Sequence, residues 1–281
     1  MKSMKKVWYV TGASKGLGLA LVKKLLSEGY RVAATSRSAE TLKKQVGPYN
    51  EDLFLPLEVD LTSNESIERS IQQANSVFGG IDVVVNNAGY GIGGTVEELS
   101  EKEINDSFNI NVFATINVIR NVLPLMRAKR SGYIINIASI AGFAPATGWA
   151  MYGATKFAVV GLSEVLAGDV KDLGIKVTVV APGAFRTEFL SHDSLVLPEN
   201  KIEDYKSVRV SHARYLTMNG QQAGDPERAA EIFIHLAEIP EPPVRLFMGT
   251  DAYNRAKAKI DALDDELEKW KDLSFITDFS G

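Results

Sequence analysis

Seven short runs rich in β-branched and aromatic residues recur along this 281-residue chain: "VWYV" (7–10), "RVAATSR" (31–37), "LFLPLEVD" (53–60), "IDVVVNNAG" (81–89), "GYIINIAS" (132–139), "KVTVVAPG" (176–183) and "VRLFMG" (244–249). Between them apolar residues recur at helical spacing. Helices are predicted over 17–28, closed by Gly29, over 38–46, over 63–79 with Ser63 as N-cap, over 101–129 and over 152–173. The run at 81–89 is nearly continuous apolar, as a strand buried on both faces requires. Strands alternating with helices form a parallel sheet covered on both sides, and right-handed crossovers wind it outward from the middle.

The expected fold is therefore α/β, a doubly wound seven-stranded parallel sheet of Rossmann type. One domain is expected over 1–281. Apolar residues make up 45% of the chain, enough for a core without staples, and there is no cysteine for a disulfide or thiolate metal site. A net charge of −4 argues against a broad nucleic-acid footprint. "MKSMKK" looks like the start of a signal peptide, but the apolar stretch behind it, 7–10, is too short. No segment approaches the ~18 apolar residues of a membrane span. A cytoplasmic protein with neither nucleic-acid nor membrane partner is expected. His192 and His212 have no second ligand at metal spacing, so no metal is expected.

Ligands of such sheets sit beyond the carboxyl ends of the strands. After the first run comes "TGASKGLG" (11–18). Gly12 frees the backbone to leave the strand, Gly16 leaves room for a phosphate, and Gly18 lets the helix pack close. The helix then offers free N–H groups to an anion. Alone, this turn also suits an ordinary strand–helix connection or a methyltransferase loop. "YGATK" sets Tyr152 and Lys156 four residues apart on one helix face. Alone, that is a surface pair. "NNAG" (86–89), "NIASIAG" (136–142) and "PGAFRT" (182–187) each follow a strand in the same order.

Taken together, these motifs resemble the short-chain dehydrogenase/reductase family over residues 5–250, with Asp60 after the third strand, Asn111 in "NINVFA", and Ser139 thirteen residues before Tyr152. The resemblance implies a catalytic set of Asn111, Ser139, Tyr152 and Lys156. It implies a dinucleotide held by Gly12, Ser14, Lys15, Gly16, Leu17, Gly18, Ser36, Arg37, Asp60, Leu61, Asn87, Ala88, Gly89, Tyr152, Lys156, Pro182, Gly183, Phe185 and Thr187. Within that set, "NNAG" lies on the adenine side, Asp60 meets the adenine ring, Lys156 holds the nicotinamide ribose and Thr187 meets the carboxamide. Asn111 anchors a water that relays protons to Lys156. Residues 188–224 cover the substrate, and the long helices pair subunits into homodimers or homotetramers.

Reducing a ketone needs a hydride on carbon and a proton on oxygen. Tyr152 can supply the proton, although a free tyrosine titrates near ~10. The Lys156 ammonium is expected to lower that value, as is the cationic nicotinamide of the oxidised cofactor. Ser139 can donate to the substrate oxygen as charge grows there. Other readings remain for single residues: Asn111 satisfying buried backbone groups, Ser139 as a strand-end turn residue, Asp60 as a helix cap. An acidic residue ending the second strand would bind a bare ribose; this chain has Ser36 and Arg37 there, with Lys15 nearby in the glycine turn. Two cations and a hydroxyl suit a 2′-phosphate, so NADP(H) is expected over NAD(H). Each cation alone could be a solvated surface charge.

Apolar residues in 188–224, including Phe189, Leu195, Val196, Leu197, Tyr205, Val208, Tyr215, Leu216 and Met218, would line an apolar pocket or pack the segment down. Trp149 precedes Tyr152 by three. Asp225 and Pro226 restart a helix. The expected reaction is hydride transfer between NADP(H) and an apolar carbonyl or secondary alcohol; a non-catalytic dinucleotide sensor is the alternative. Beyond the core, 251–281 reads as a C-terminal helical extension. Asp251 is its cap, and Ala256, Ile260, Leu263, Leu267 and Trp270 form a stripe. That stripe would pack on its own domain, close the cleft or reach a neighbouring subunit.

Overall fold

The computed structural model describes residues 5–191 and 194–279, so the histidine at 192 lies outside the described residues. From the N-terminus the elements are β1 (Val7–Val10), α1 (Gly16–Ser27), β2 (Arg31–Ser36), α2 (Ala39–Val46), β3 (Phe54–Glu58), α3 (Asn64–Phe78), β4 (Val83–Asn86), β5 (Gly91–Ile92), α4 (Glu101–Phe108) and α5 (Ala114–Lys129). Then follow β6 (Gly132–Ile137), α6 (Ala150–Asp169), β7 (Ile175–Pro182), β8 (Leu195–Val196), α7 (Lys206–Thr217), α8 (Pro226–Glu238), β9 (Arg245–Met248) and α9 (Thr250–Phe275).

Seven strands form one sheet in the order β3-β2-β1-β4-β6-β7-β9, and every neighbouring pair is parallel. These are the seven runs read from the sequence. Successive side chains of a strand point to opposite faces, and β1 shows the result. Trp8 and Val10 enter a core with Leu21 and Leu25 of α1 and Phe233 of α8. Val7 and Tyr9 enter the opposite core with Ile67 and Ile71 of α3 and Val118 and Met126 of α5. Chain winding reverses between β1 and β4, which opens a crevice above their carboxyl ends.

Capping residues act largely as the sequence indicates. Ser63 accepts from Ser66 N, and Asp225 accepts from Glu227 N with Pro226 at the first helical position. Four boundaries differ. The predicted helix over 101–129 is broken by a π-helical turn at Asn109–Phe113. The helix predicted from 152 starts at Ala150, and its last residues form a separate 3₁₀ turn, Lys171–Leu173. A helix, α7, lies inside the 188–224 segment, where the sequence gives only weak periodicity. Asp251 is not the cap of α9: Gly249 holds that position, and Asp251 turns back to accept from Ala184 N at 2.8 Å. Among the described residues no helix is long and apolar enough to cross a membrane, and no acidic or histidine cluster could hold a metal. His212 is buried, with Nε2 2.8 Å from the Gly148 carbonyl.

Candidate active site

A cleft of about 1290 Å³ runs along the carboxyl ends of the strands. At one end stands the glycine turn. Gly12 adopts φ +63° and Gly16 φ +58°, where a side chain is strained. A Cβ on Gly12 would lie 2.7 Å from Ala88 Cα, and one on Gly18 would lie 2.5 Å from Asn87 Nδ2. Asn87 fastens the turn, donating from Nδ2 to the Thr11 and Gly12 carbonyls at 3.0 Å each. Lys15, at the cap position of α1, is extended, and its side chain does not cap the helix. The first N–H groups of α1 therefore face outward in the manner of an anion site.

Along one wall lie Ser36, Arg37, Asp60 and Leu61. Arg37 is exposed and makes no ion pair among the described residues. Asp60 accepts from the Thr62 hydroxyl at 2.7 Å and the Thr62 N–H at 2.9 Å, and these bonds hold its carboxyl below the usual range. Helix capping falls to Ser63, so Asp60 does not serve α3. Thr35 carries no signal in the sequence that marks it as a site residue. Its hydroxyl is buried, has no hydrogen-bond partner among the described residues, and belongs to the cleft wall.

At the other end, Ser139 follows β6 while Tyr152 and Lys156 occupy the first turns of α6. Ser139 Oγ accepts from Ala141 N at 3.1 Å and is hydrogen-bonded to Tyr152. Lys156 is buried, donates to the Ile137 carbonyl at 3.1 Å, and lies 5.7 Å from the Tyr152 ring centroid. Burial pushes the Tyr152 phenol up to about 12, against the downward pull of Ser139. Burial pushes the Lys156 ammonium down to about 8. The lowering of the phenol expected from Lys156 is not found here: burial dominates both groups.

Asn111 sits in the π-helical turn, outside the cleft lining. Its Oδ1 accepts from Tyr90 N and its Nδ2 donates to the Tyr90 carbonyl, both at 3.0 Å. The backbone-satisfying role is therefore real. Yet a Cβ on Gly89 would lie 2.9 Å from Asn111 Oδ1 and 3.4 Å from Lys156 Nζ, so the glycine keeps a gap between those two groups. Gly183 acts similarly at the end of β7, where a Cβ would lie 2.1 Å from Asp251 Oδ1. Ser14, Leu17, Ala88, Pro182, Phe185 and Thr187 complete the predicted residues that line the cleft.

The remaining wall is aromatic. Trp149 packs edge-on to Tyr152, Tyr215 and His212 with centroids 6.4, 4.9 and 5.3 Å away. Phe189, Val196, Tyr215 and Met218 from the 188–224 segment line the cleft. Leu195 and Val208 are buried instead, Leu216 is exposed, and Tyr205 donates to Glu97. Two residues that the sequence did not signal hold the segment down. The buried Glu98 carboxylate accepts from Thr95 N, Ile202 N and Arg209 of α7. Burial alone would raise Glu98; these bonds hold it down to about 2.

Residues 6–195 match the short chain dehydrogenase family. Oxidoreductase BOA17 of Botryotinia fuckeliana (strain B05.10) is 35% identical over 275 residues, covering 98% of this chain and 100% of that protein. Among solved structures, a short-chain dehydrogenase from Streptomyces avermitilis superposes with a TM-score of 0.89 at 36% identity, over 97% of this chain and 100% of the other. ElxO with NADP bound superposes with a TM-score of 0.73 at 29% identity, over 87% and 97%.

Proposed function

The chain belongs to the short-chain dehydrogenase family, and from that premise we propose that it is an NADP(H)-dependent oxidoreductase interconverting an apolar ketone and its secondary alcohol. One observation carries the reading. Ser139, Tyr152 and Lys156 converge at one end of a cleft whose other end is a glycine cradle with an uncapped helix N-terminus. A dinucleotide fits this cradle: the α1 N–H groups would hold its pyrophosphate, Asp60 and Leu61 its adenine, and Thr187 its carboxamide. The unpartnered Thr35 hydroxyl supplies a further polar contact. Arg37 and Lys15 with Ser36 favour a 2′-phosphate over a bare ribose.

When bound, the nicotinamide supplies or takes the hydride. Tyr152 holds a proton at Oη under neutral conditions and delivers it to the carbonyl oxygen. Ser139 donates to the same oxygen as charge develops. Lys156 holds the ribose and, with Asn111, lines the route by which Tyr152 is reprotonated. The aromatic wall of Trp149, Phe189 and Tyr215 excludes water and favours an apolar substrate. Exposed Phe113, Phe157 and Val165 on the α5 and α6 side support a homodimer or homotetramer.

NADPH consumption against a carbonyl panel tests the reading. Turnover is expected with apolar aryl and alkyl ketones and weak with keto acids; no turnover with any ketone overturns it. The pH profile follows from Lys156. Its ammonium persists below about 8 and is lost above. Ketone reduction is therefore expected to be level on the acid side of that point and to fall on the alkaline side. A rate that stays level two units above it contradicts the role given to Lys156.

A further inference from the structure

The first two turns of α9 rest on the domain: Ala252 and Ala256 are buried against Ile140, and Arg255 donates to the Ala144 carbonyl. Beyond them the helix leaves the surface, and every residue from 260 to 279 is exposed. On this overhang Ile260, Leu263, Leu267 and Trp270 are 48%, 37%, 70% and 51% exposed. Their spacings of three, four and three residues make a narrow seam like that of a two-helix coil. A contiguous exposed apolar stripe of this kind marks an interaction surface.

We propose that this seam is covered by the α9 overhang of a second copy of the chain, lying antiparallel across a twofold axis near Glu268. Three observations point to that occupant and that direction. First, Ala252 and Ala256 share the seam's side of the helix with the chain's own domain. A parallel partner helix would run into that domain, whereas an antiparallel one occupies only the free length. Second, overlapping the two overhangs end to end crosses them near Glu268. Leu267 of each copy then faces the partner's Trp270, and Leu263 faces the partner's Ser274. Third, the same register sets Asp264 beside the partner's Lys271, twice by symmetry. Shifting the crossing point half a heptad towards the domain instead sets Asp264 and Glu266 against their own copies, which like charges oppose. An anionic lipid surface is a poor cover, because residues 257–279 carry seven carboxylates against four ammonium groups. Two short helices of this kind would be marginal alone; here each is anchored by a folded domain.

The chain has no cysteine, so single spin labels can be placed cleanly in the full-length protein. Glu268→Cys labels are expected within about 25 Å of each other, set by an interaxial distance of about 10 Å and the label arms. Lys257→Cys labels are expected more than about 30 Å apart, given a rise of ~1.5 Å per residue. The exposed-site variant Leu267→Glu/Trp270→Glu should abolish the short distance at 268 while leaving ketone turnover intact. The proposal is overturned by labels at 268 more than about 25 Å apart, by short distances at both sites, or by a short distance that survives the double variant. None of these readouts depends on the proposed chemistry.

Discussion

Tyr152→Phe is expected to cut ketone reduction by at least ~100-fold, about 2.7 kcal/mol of transition-state stabilisation. The substitution removes one oxygen. The ring remains packed against Trp149 and Phe189, so the aromatic wall keeps its shape. The loss therefore falls on proton delivery, and NADPH affinity should change little. Burial keeps the phenol protonated, with its titration pushed up to about 12, so at neutral pH the wild-type group is almost wholly in its donor form. Ser139 would still donate to the substrate oxygen, which leaves a residual rate rather than none. Steady-state kcat with NADPH, alongside cofactor titration by fluorescence, separates the two effects. A variant with unchanged kcat removes Tyr152 from the mechanism.

Arg37→Ala combined with Lys15→Ala is expected to weaken NADPH by ten-fold or more while NADH changes by much less. Each charge-assisted contact to a phosphate is worth about 1.5–3 kcal/mol, which is enough to reverse a preference. The argument rests on position. β2 delivers Ser36 and Arg37 to the cleft wall, and no carboxylate pairs with Arg37 among the described residues. Dissociation constants of both cofactors for wild type and variant decide the matter. Equal wild-type affinity for NADH and NADPH overturns the preference.

What the sequence makes legible follows from how locally each feature is encoded. The seven strands are written in runs of four to nine residues, and the glycine turn is written in eight. Such signals need no knowledge of distant chain. α7 is hidden because only Val208 and His212 of its twelve residues are buried, which leaves little periodicity to read. The pairing of β5 with β8 joins Gly91 to Leu195, two residues at each end and about a hundred apart, and nothing in either dipeptide announces the other. Glu98 reads as an ordinary surface carboxylate until Arg209 and Ile202 arrive beside it. The upward push of burial on Tyr152 is hidden for a related reason. A sequence shows which charge is near but not how much water is lost.

The segment between Arg186 and Gly224, several of whose residues line the cleft, is closed at its own neck. Phe185 pairs with Gly224: Gly224 N donates to the Ala184 carbonyl at 3.0 Å, and Arg186 N donates to the Gly224 carbonyl at 2.8 Å. The sheet therefore meets a fixed pair of chain ends, however long the excursion between them. Closing a flexible loop grows only logarithmically dearer with length, at about 0.6 kcal/mol for each doubling. Insertions and deletions between Arg186 and Gly224 can thus reshape what the cleft admits at a thermodynamic penalty smaller than one hydrogen bond, with the strand register of β7 and β9 untouched.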